Sequence, residues 1–147
     1  MANKKLLVAG ARGIVGRSTI NHFSKLEGWN VVGLSRSASD FDSEIQWINV
    51  DLQNSEDCRN KLQSLDDVSH ICYSAVFEKE NLTSGWTQSD HAKINLNMLC
   101  NLVENLDKNS PKLQHITLMQ GTKAYGGHLG PFKMPARETD PRSMGPN

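Results

Sequence analysis

Leu6-Leu7-Val8-Ala9-Gly10-Ala11-Arg12-Gly13-Ile14-Val15-Gly16 is the stretch whose reading decides the fold. A short apolar run, the mark of a buried strand, leads straight into glycines at G-x-x-G-x-x-G spacing, and an amphipathic helical pattern follows at once. Each glycine has its own expected task. Gly10 permits the tight turn, Gly13 lets the backbone approach a pyrophosphate, and Gly16 lets the helix pack close to the strand. The unpaired N–H groups at the start of that helix would hold the anion. Glycine spacing alone is a weak signal, and a plain strand–turn–helix also accounts for it. Its place between an apolar strand and a helix favours a dinucleotide site.

Outward from this turn the chain alternates. Ile14, Val15, Thr19, Ile20, Phe23 and Leu26 predict a helix stopping near Gly28, and Asn30 to Ser35 predicts a second strand. At that strand's end an acid would select NAD through the ribose 2′-hydroxyl, and an arginine would accommodate the 2′-phosphate of NADP. The residues there are Ser35, Arg36 and Ser37, and the first acid after them is Asp40. A solvated surface arginine is the ordinary role for such a residue, but this position favours a phosphate held bidentately, and so NADP.

Ile45 to Val50 is the third strand candidate. Asp51 after it would either face an adenine amino group or cap the helix expected over residues 55–65, and the sequence leaves both open. Val68 to Ala75 predicts strand four, with small residues Ser74 and Ala75 at its end leaving room for a cofactor or simply packing. Residues 76–90 read as a polar loop in which Trp86 anchors the loop or stacks on a substrate, the anchor being the ordinary role. Ile94, Met98, Leu102 and Leu106 form the clearest helical stripe, which is core, and Leu113 to Met119 predicts strand five. This alternation predicts an α/β domain, a Rossmann-like doubly wound parallel sheet in the order 3-2-1-4-5. Beyond Met119 the pattern stops. Four of the five prolines lie from Pro131 onward, so the last 28 residues are functional, disordered or the start of something missing.

Composition narrows the function classes. Sixteen Lys and Arg balance sixteen Asp and Glu, which gives no electrostatic case for a nucleic-acid or membrane partner. Cys58, Cys72 and Cys100 lie far apart without a C-x-x-C pair, which speaks against a disulfide framework or zinc site and for the reduced cytoplasm. His22, His70, His91, His115 and His128 show no ligand spacing, so no metal is expected. The apolar run before Arg12 is too short for a signal core or membrane span.

Gln120-Gly121-Thr122-Lys123-Ala124-Tyr125, followed by Gly130-Pro131-Phe132, adds a family resemblance. With the glycine turn, Gly28 to Val31, Ser35-Arg36, Asp51-Leu52 and Asn95 to Leu102, the chain resembles the extended short-chain dehydrogenase/reductases, in the atypical branch of progesterone 5β-reductase and iridoid synthase. The resemblance covers this chain but only the N-terminal part of a family protein. It implies hydride transfer from NADPH to the β-carbon of an enone or enal, or to a carbonyl, of a small molecule. The family's lysine falls on Lys123. Its tyrosine follows an approach like Gly145-Pro146-Asn147, where this sequence stops, so the chain would be a truncated piece that binds better than it turns over; Tyr125 matches an aromatic of the lysine motif instead.

Under this reading residues 1–125 form the NADP-binding domain and 126–147 an active-site loop. Gly10, Arg12, Gly13, Ile14, Val15 and Gly16 bind pyrophosphate, and Ser35, Arg36 and Ser37 hold the 2′-phosphate. Asp51 and Leu52 bracket adenine, Ser74, Ala75 and Val76 line the path to the nicotinamide, Gln120 and Gly121 also bind the cofactor, and Lys123 holds the ribose as the catalytic residue. The alternatives are a nucleotide-sugar epimerase or dehydratase, which prefers NAD, and a regulator that senses NADP without chemistry. A sheet edge left open by an absent half would favour homo-oligomers.

Overall fold

A computed structural model describes residues 4–41, 43–78, 89–127 and 129–142. Its elements are β1 (Lys4–Ala9), α1 (Ile14–Phe23), β2 (Trp29–Ser35), β3 (Gln46–Asn49), α2 (Ser55–Leu62), β4 (His70–Tyr73), α3 (Ser89–Asn109) and β5 (His115–Leu118), then one 3₁₀ turn (Thr122–Tyr125). All strand pairs are parallel and the order is β3-β2-β1-β4-β5, as the alternation predicts. That topology has a sequence cause. β1 and β2 are apolar at successive positions rather than at alternate ones, so both faces of the central strands need covering.

The two faces are separate cores. Leu7, Ala9, Val32, Leu34 and Ile71 point one way and pack with Cys58 and Leu62 of α2 and Met98, Leu102 and Leu106 of α3. Leu6, Val8, Val31 and Cys72 point the other way and pack with Ala11 and with Ile20 of α1. The stripe on α3 is therefore core, as its spacing indicates. The helix expected over 55–65 runs over Ser55–Leu62 as α2 and begins under Asn54, whose side chain accepts from the backbone N–H groups of Glu56 and Asp57 at 3.0 and 3.1 Å. Such a cap contributes about 1 kcal/mol.

Three differences from the sequence reading have local causes. First, α1 ends at Phe23 rather than near Gly28. Lys25 and Leu26 donate to His22 and Phe23, three residues back, so the ladder tightens and closes, and Gly28 at φ +80° turns the chain into β2. Second, Ile14 is 91% exposed and Val15 38% exposed, so the first turn of α1 contributes little to the core despite its apolar residues. Third, regular structure does not stop at Met119, because the 3₁₀ turn carries Thr122 to Tyr125. Trp86, His128 and the stretch Gly145 to Asn147 lie outside the described residues.

β5 forms the outer edge of the sheet, where Ile116 and Leu118 are more than two-fifths exposed. Near the N-terminal ends of the strands, aromatic rings run across one face. The Trp29 and His70 ring centroids are 4.9 Å apart, those of His70 and His115 are 6.0 Å apart, and Lys4 Nζ sits 5.0 Å over Trp29. Nδ1 of His70 meets Ser69 Oγ at 2.8 Å. Burial, then the charges of His115 and Lys4, lower the His70 pKa from the ordinary 6.5. A lowered histidine pKa favours the neutral ring in the folded state. This part of the stability is whole above about pH 7 and is lost as pH falls from 6.5 through the lower folded value. The expected result is that the wild type loses more thermal stability than His70→Gln between pH 7.5 and 5; equal losses by calorimetry at the two pH values would refute it.

Candidate nucleotide site

The glycine turn opens one cleft of about 260 Å³ at the C-terminal ends of β1, β2 and β4. Gly10 sits at φ +79°, and a Cβ there would lie 2.7 Å from the Ala75 backbone nitrogen and 2.8 Å from the Ser74 carbonyl carbon. The turn thus presses against the end of β4. Gly16 is tighter still, since its Cβ would lie 2.2 Å from the Gly10 oxygen. Gly13 is the N-cap of α1 with no side-chain capping bond, and no acid stands in the first turn. Its face toward the cleft is open, and the positive end of the helix is left for an anion.

Arg12 departs from the pyrophosphate role that the sequence suggests. Its guanidinium reaches to the end of β2, where Nη1 donates to Ser37 Oγ and Nη2 pairs with Asp40 at 2.9 Å, while Nε is buried without a partner. Ser35 donates its hydroxyl to the Ser37 carbonyl, which shapes the loop around Arg36. Arg36 lines the cleft and is exposed, and no carboxylate among the described residues pairs with it. The strand end therefore carries Arg12 as well as Arg36. An arginine fork with an unmet Nε beside two serines fits a phosphate.

Of the two readings of Asp51, the cap goes to Asn54. Asp51 Oδ1 instead accepts from the Gln53 N–H at 3.0 Å, and its own N–H donates to Asp57 at 2.8 Å. Leu52 and Gln53, not Asp51, line the cleft. Leu52 is buried, and its carbonyl accepts from Asn101 of α3 at 2.9 Å. Ser74 spends both its N–H and its hydroxyl on the Ala9 carbonyl, at 3.0 and 2.8 Å, which ties β4 to β1. Ala75 and Val76 line the cleft, and Val76 is 59% exposed. Ile14, Val15, Gln120, Gly121 and Lys123 are not in its lining. Lys123 stands exposed in the 3₁₀ turn beyond β5.

Several residues were not legible as site residues. Leu34, Val50 and Met98 line the cleft from core positions, and Phe77 closes one side. Asn95 holds Phe77 in place, accepting from its N–H at 2.8 Å and donating to its carbonyl at 3.0 Å. Asn95 opens a stretch that carries the family resemblance, but nothing along the chain ties it to Phe77. Tyr73 is buried with its Oη unpartnered, and burial pushes its pKa up to about 12, so it stays a neutral phenol.

This architecture defines a class, a Rossmann-like nucleotide-binding domain with its ligand cleft at the glycine turn. Within it, the profile of the NAD dependent epimerase/dehydratase family matches residues 6–146, and the chain belongs to that family. Among curated relatives, it is 35% identical over 133 residues to a 3-oxo-Delta(4,5)-steroid 5-beta-reductase of Arabidopsis thaliana, covering 86% of this chain and 32% of that protein. It is 32% identical over 154 residues to an (S)-8-oxocitronellyl enol synthase of Camptotheca acuminata, covering 96% and 37%. The chain thus spans about a third of the length of these relatives. Solved structures share the fold: a UDP-N-acetylglucosamine 4-epimerase from Bacillus cereus at TM-score 0.68 and 20% identity, covering 95% of this chain and 42% of that one. MoeE5 in complex with UDP-glucuronic acid and NAD matches at TM-score 0.70 and 21% identity, covering 95% and 42%. Among the described residues no helix is long and apolar enough to cross a membrane, and no group of three or more His, Cys, Asp or Glu could hold a metal.

Proposed function

We propose that this chain is the NADP-binding part of a cytoplasmic NADPH-dependent reductase acting on an activated carbon–carbon double bond, an enone or enal, or on a carbonyl of a small molecule. The observation that carries the cofactor preference is the convergence of Arg12, Ser35, Arg36 and Ser37 on the end of β2. The curated relatives, a steroid reductase and enol synthases, support the substrate class. When bound, NADPH supplies a hydride. The protein's part is to hold it. Gly10, Gly13 and the first turn of α1 would take the pyrophosphate, with Gly16 keeping that turn close, and Ile14 and Val15 would contribute their backbone. Arg12, Arg36 and the two serines would take the 2′-phosphate. Leu52 with Gln53 would flank the adenine. Ala75, Val76 and Phe77, clamped by Asn95, would border the nicotinamide, and Lys123, in the segment led by Gln120 and Gly121, would steady the ribose by its charge. Residues 1–125 would be the cofactor domain and 126–147 a loop over the substrate.

Calorimetric titration of this chain with NADPH and, separately, NADH tests the reading. The expected result is NADPH binding at least about tenfold tighter, the worth of one charged hydrogen bond lost with the phosphate. Equal affinities would overturn the NADP assignment and favour an NAD-retaining epimerase. Failure of both to bind a folded chain would remove the cofactor reading.

A further inference from the structure

The sequence shows no acid at the end of β2, yet the fold brings one there. Asp40 folds back so that Oδ2 accepts from Arg12 Nη2 at 2.9 Å and from Arg17 Nη2 at 2.6 Å. The return is held in two further ways. Arg17 stacks 4.8 Å over the Phe41 ring, and its Nε donates to the Arg12 carbonyl at 2.8 Å. The carboxylate therefore occupies one side of the guanidinium that would meet the 2′-phosphate. Arg12, Ser35, Arg36 and Ser37 line the cleft and Asp40 does not, so an anion entering the cleft reaches an Arg12 that is already paired with Asp40. Nε of Arg12, buried and without a partner, marks the fork as only partly satisfied by the groups now around it.

We propose that Asp40 is an internal competitor for the cofactor's 2′-phosphate: it holds Arg12 beside Ser37, the phosphate must share or take that guanidinium, and the carboxylate thereby limits how strongly the site prefers NADPH over NADH. This rests on the NADPH reading above. The competitor is permanent at working pH, because the Arg12 guanidinium, then Arg17, holds the Asp40 carboxyl at about 2. Only another anion can draw Arg12 away. A 2′-phosphate carries more charge and three acceptor oxygens, and it suits the planar fork of arginine. A 2′-hydroxyl offers Arg12 no charge in exchange, so the competition acts on the phosphate alone. Its strength is modest, since Asp40 and both arginines are about two-fifths exposed and water screens their pairing.

The test uses two probes that differ only in that phosphate, 2′,5′-ADP and 5′-AMP, titrated calorimetrically into the wild type, Asp40→Asn and Asp40→Ala. Both variants are expected to bind 2′,5′-ADP about two- to fivefold tighter, the range an exposed ion pair commands. Neither is expected to bind 5′-AMP tighter. Asp40 is exposed and belongs to neither core cluster, so the fold survives both changes, and melting curves check this. Unchanged or weaker 2′,5′-ADP binding in the two folded variants overturns the competitor role, as does an equal gain for 5′-AMP. A wild type that binds both probes equally overturns the NADPH reading and this inference together. A wild type that prefers 2′,5′-ADP while the variants change nothing overturns only the inference.

Discussion

Gly16→Ala is expected to destabilise the chain by about 3 kcal/mol, the upper end of what an added methyl costs in a close-packed site. For a chain of this length that lowers the melting midpoint by about 10 °C. The new Cβ would stand 2.2 Å from the Gly10 oxygen and 2.7 Å from Ala11 Cα. Both are backbone atoms, so no side chain can rotate aside to make room. Relief requires α1 to move off the turn, and that movement spoils the positions of Gly10 and Gly13 in the cleft. Loss of NADPH binding should therefore accompany the loss of stability. Gly121→Ala is the control, because its φ is unremarkable and nothing lies within 4 Å of an added Cβ. Differential scanning calorimetry of the two variants reads the contrast, and a Gly16→Ala protein as stable as Gly121→Ala would show that the turn is not packed as described.

The second large effect is on cofactor choice. Arg36→Asp removes an exposed guanidinium that no carboxylate among the described residues pairs with and places an anion at the strand end beside Ser35 and Ser37. A charged hydrogen bond to phosphate contributes about 1.5–3 kcal/mol, so NADPH binding should weaken by about 10- to 100-fold. NADH should gain, because a carboxylate at that point can accept from the ribose hydroxyls. Arg12 remains, held beside Ser37 and Asp40, so residual NADPH binding is expected rather than none. Parallel titrations with the two cofactors measure the reversal. Equal weakening of both would place Arg36 outside the phosphate site.

These two variants differ in how visible their causes are. The tasks of the three glycines could be written from spacing, because a glycine where a strand meets a helix is forced by sterics that any copy of the motif shares. The distances that make Gly16 intolerant could not, because they depend on how close α1 lies to the turn. Arg36 was legible because it follows β2 directly. Arg12 and Asp40 were not legible as partners, since they are 28 residues apart and meet only because β1 and β2 are parallel neighbours. Asp51 shows the same limit from the other side: its neighbours in sequence offered two roles, and local hydrogen bonds gave the cap to Asn54. The end of α1 departs from its apolar periodicity because turn bonds replace the regular ladder after Phe23.

By itself, then, the amino-acid sequence determined the alternation of strands and helices, the sheet order, the position of the glycine turn and the two-sided burial of β1 and β2. Those features follow from periodicity and backbone sterics, which act over a few residues. The tertiary structure alone decided which groups meet in and around the cleft: Arg12 with Ser37 and Asp40, Asn95 with the Phe77 backbone, Ser74 with the Ala9 carbonyl. Such pairings depend on parallel register and on the return path of loops, and the energy of each is too small and too non-local to leave a pattern along the chain.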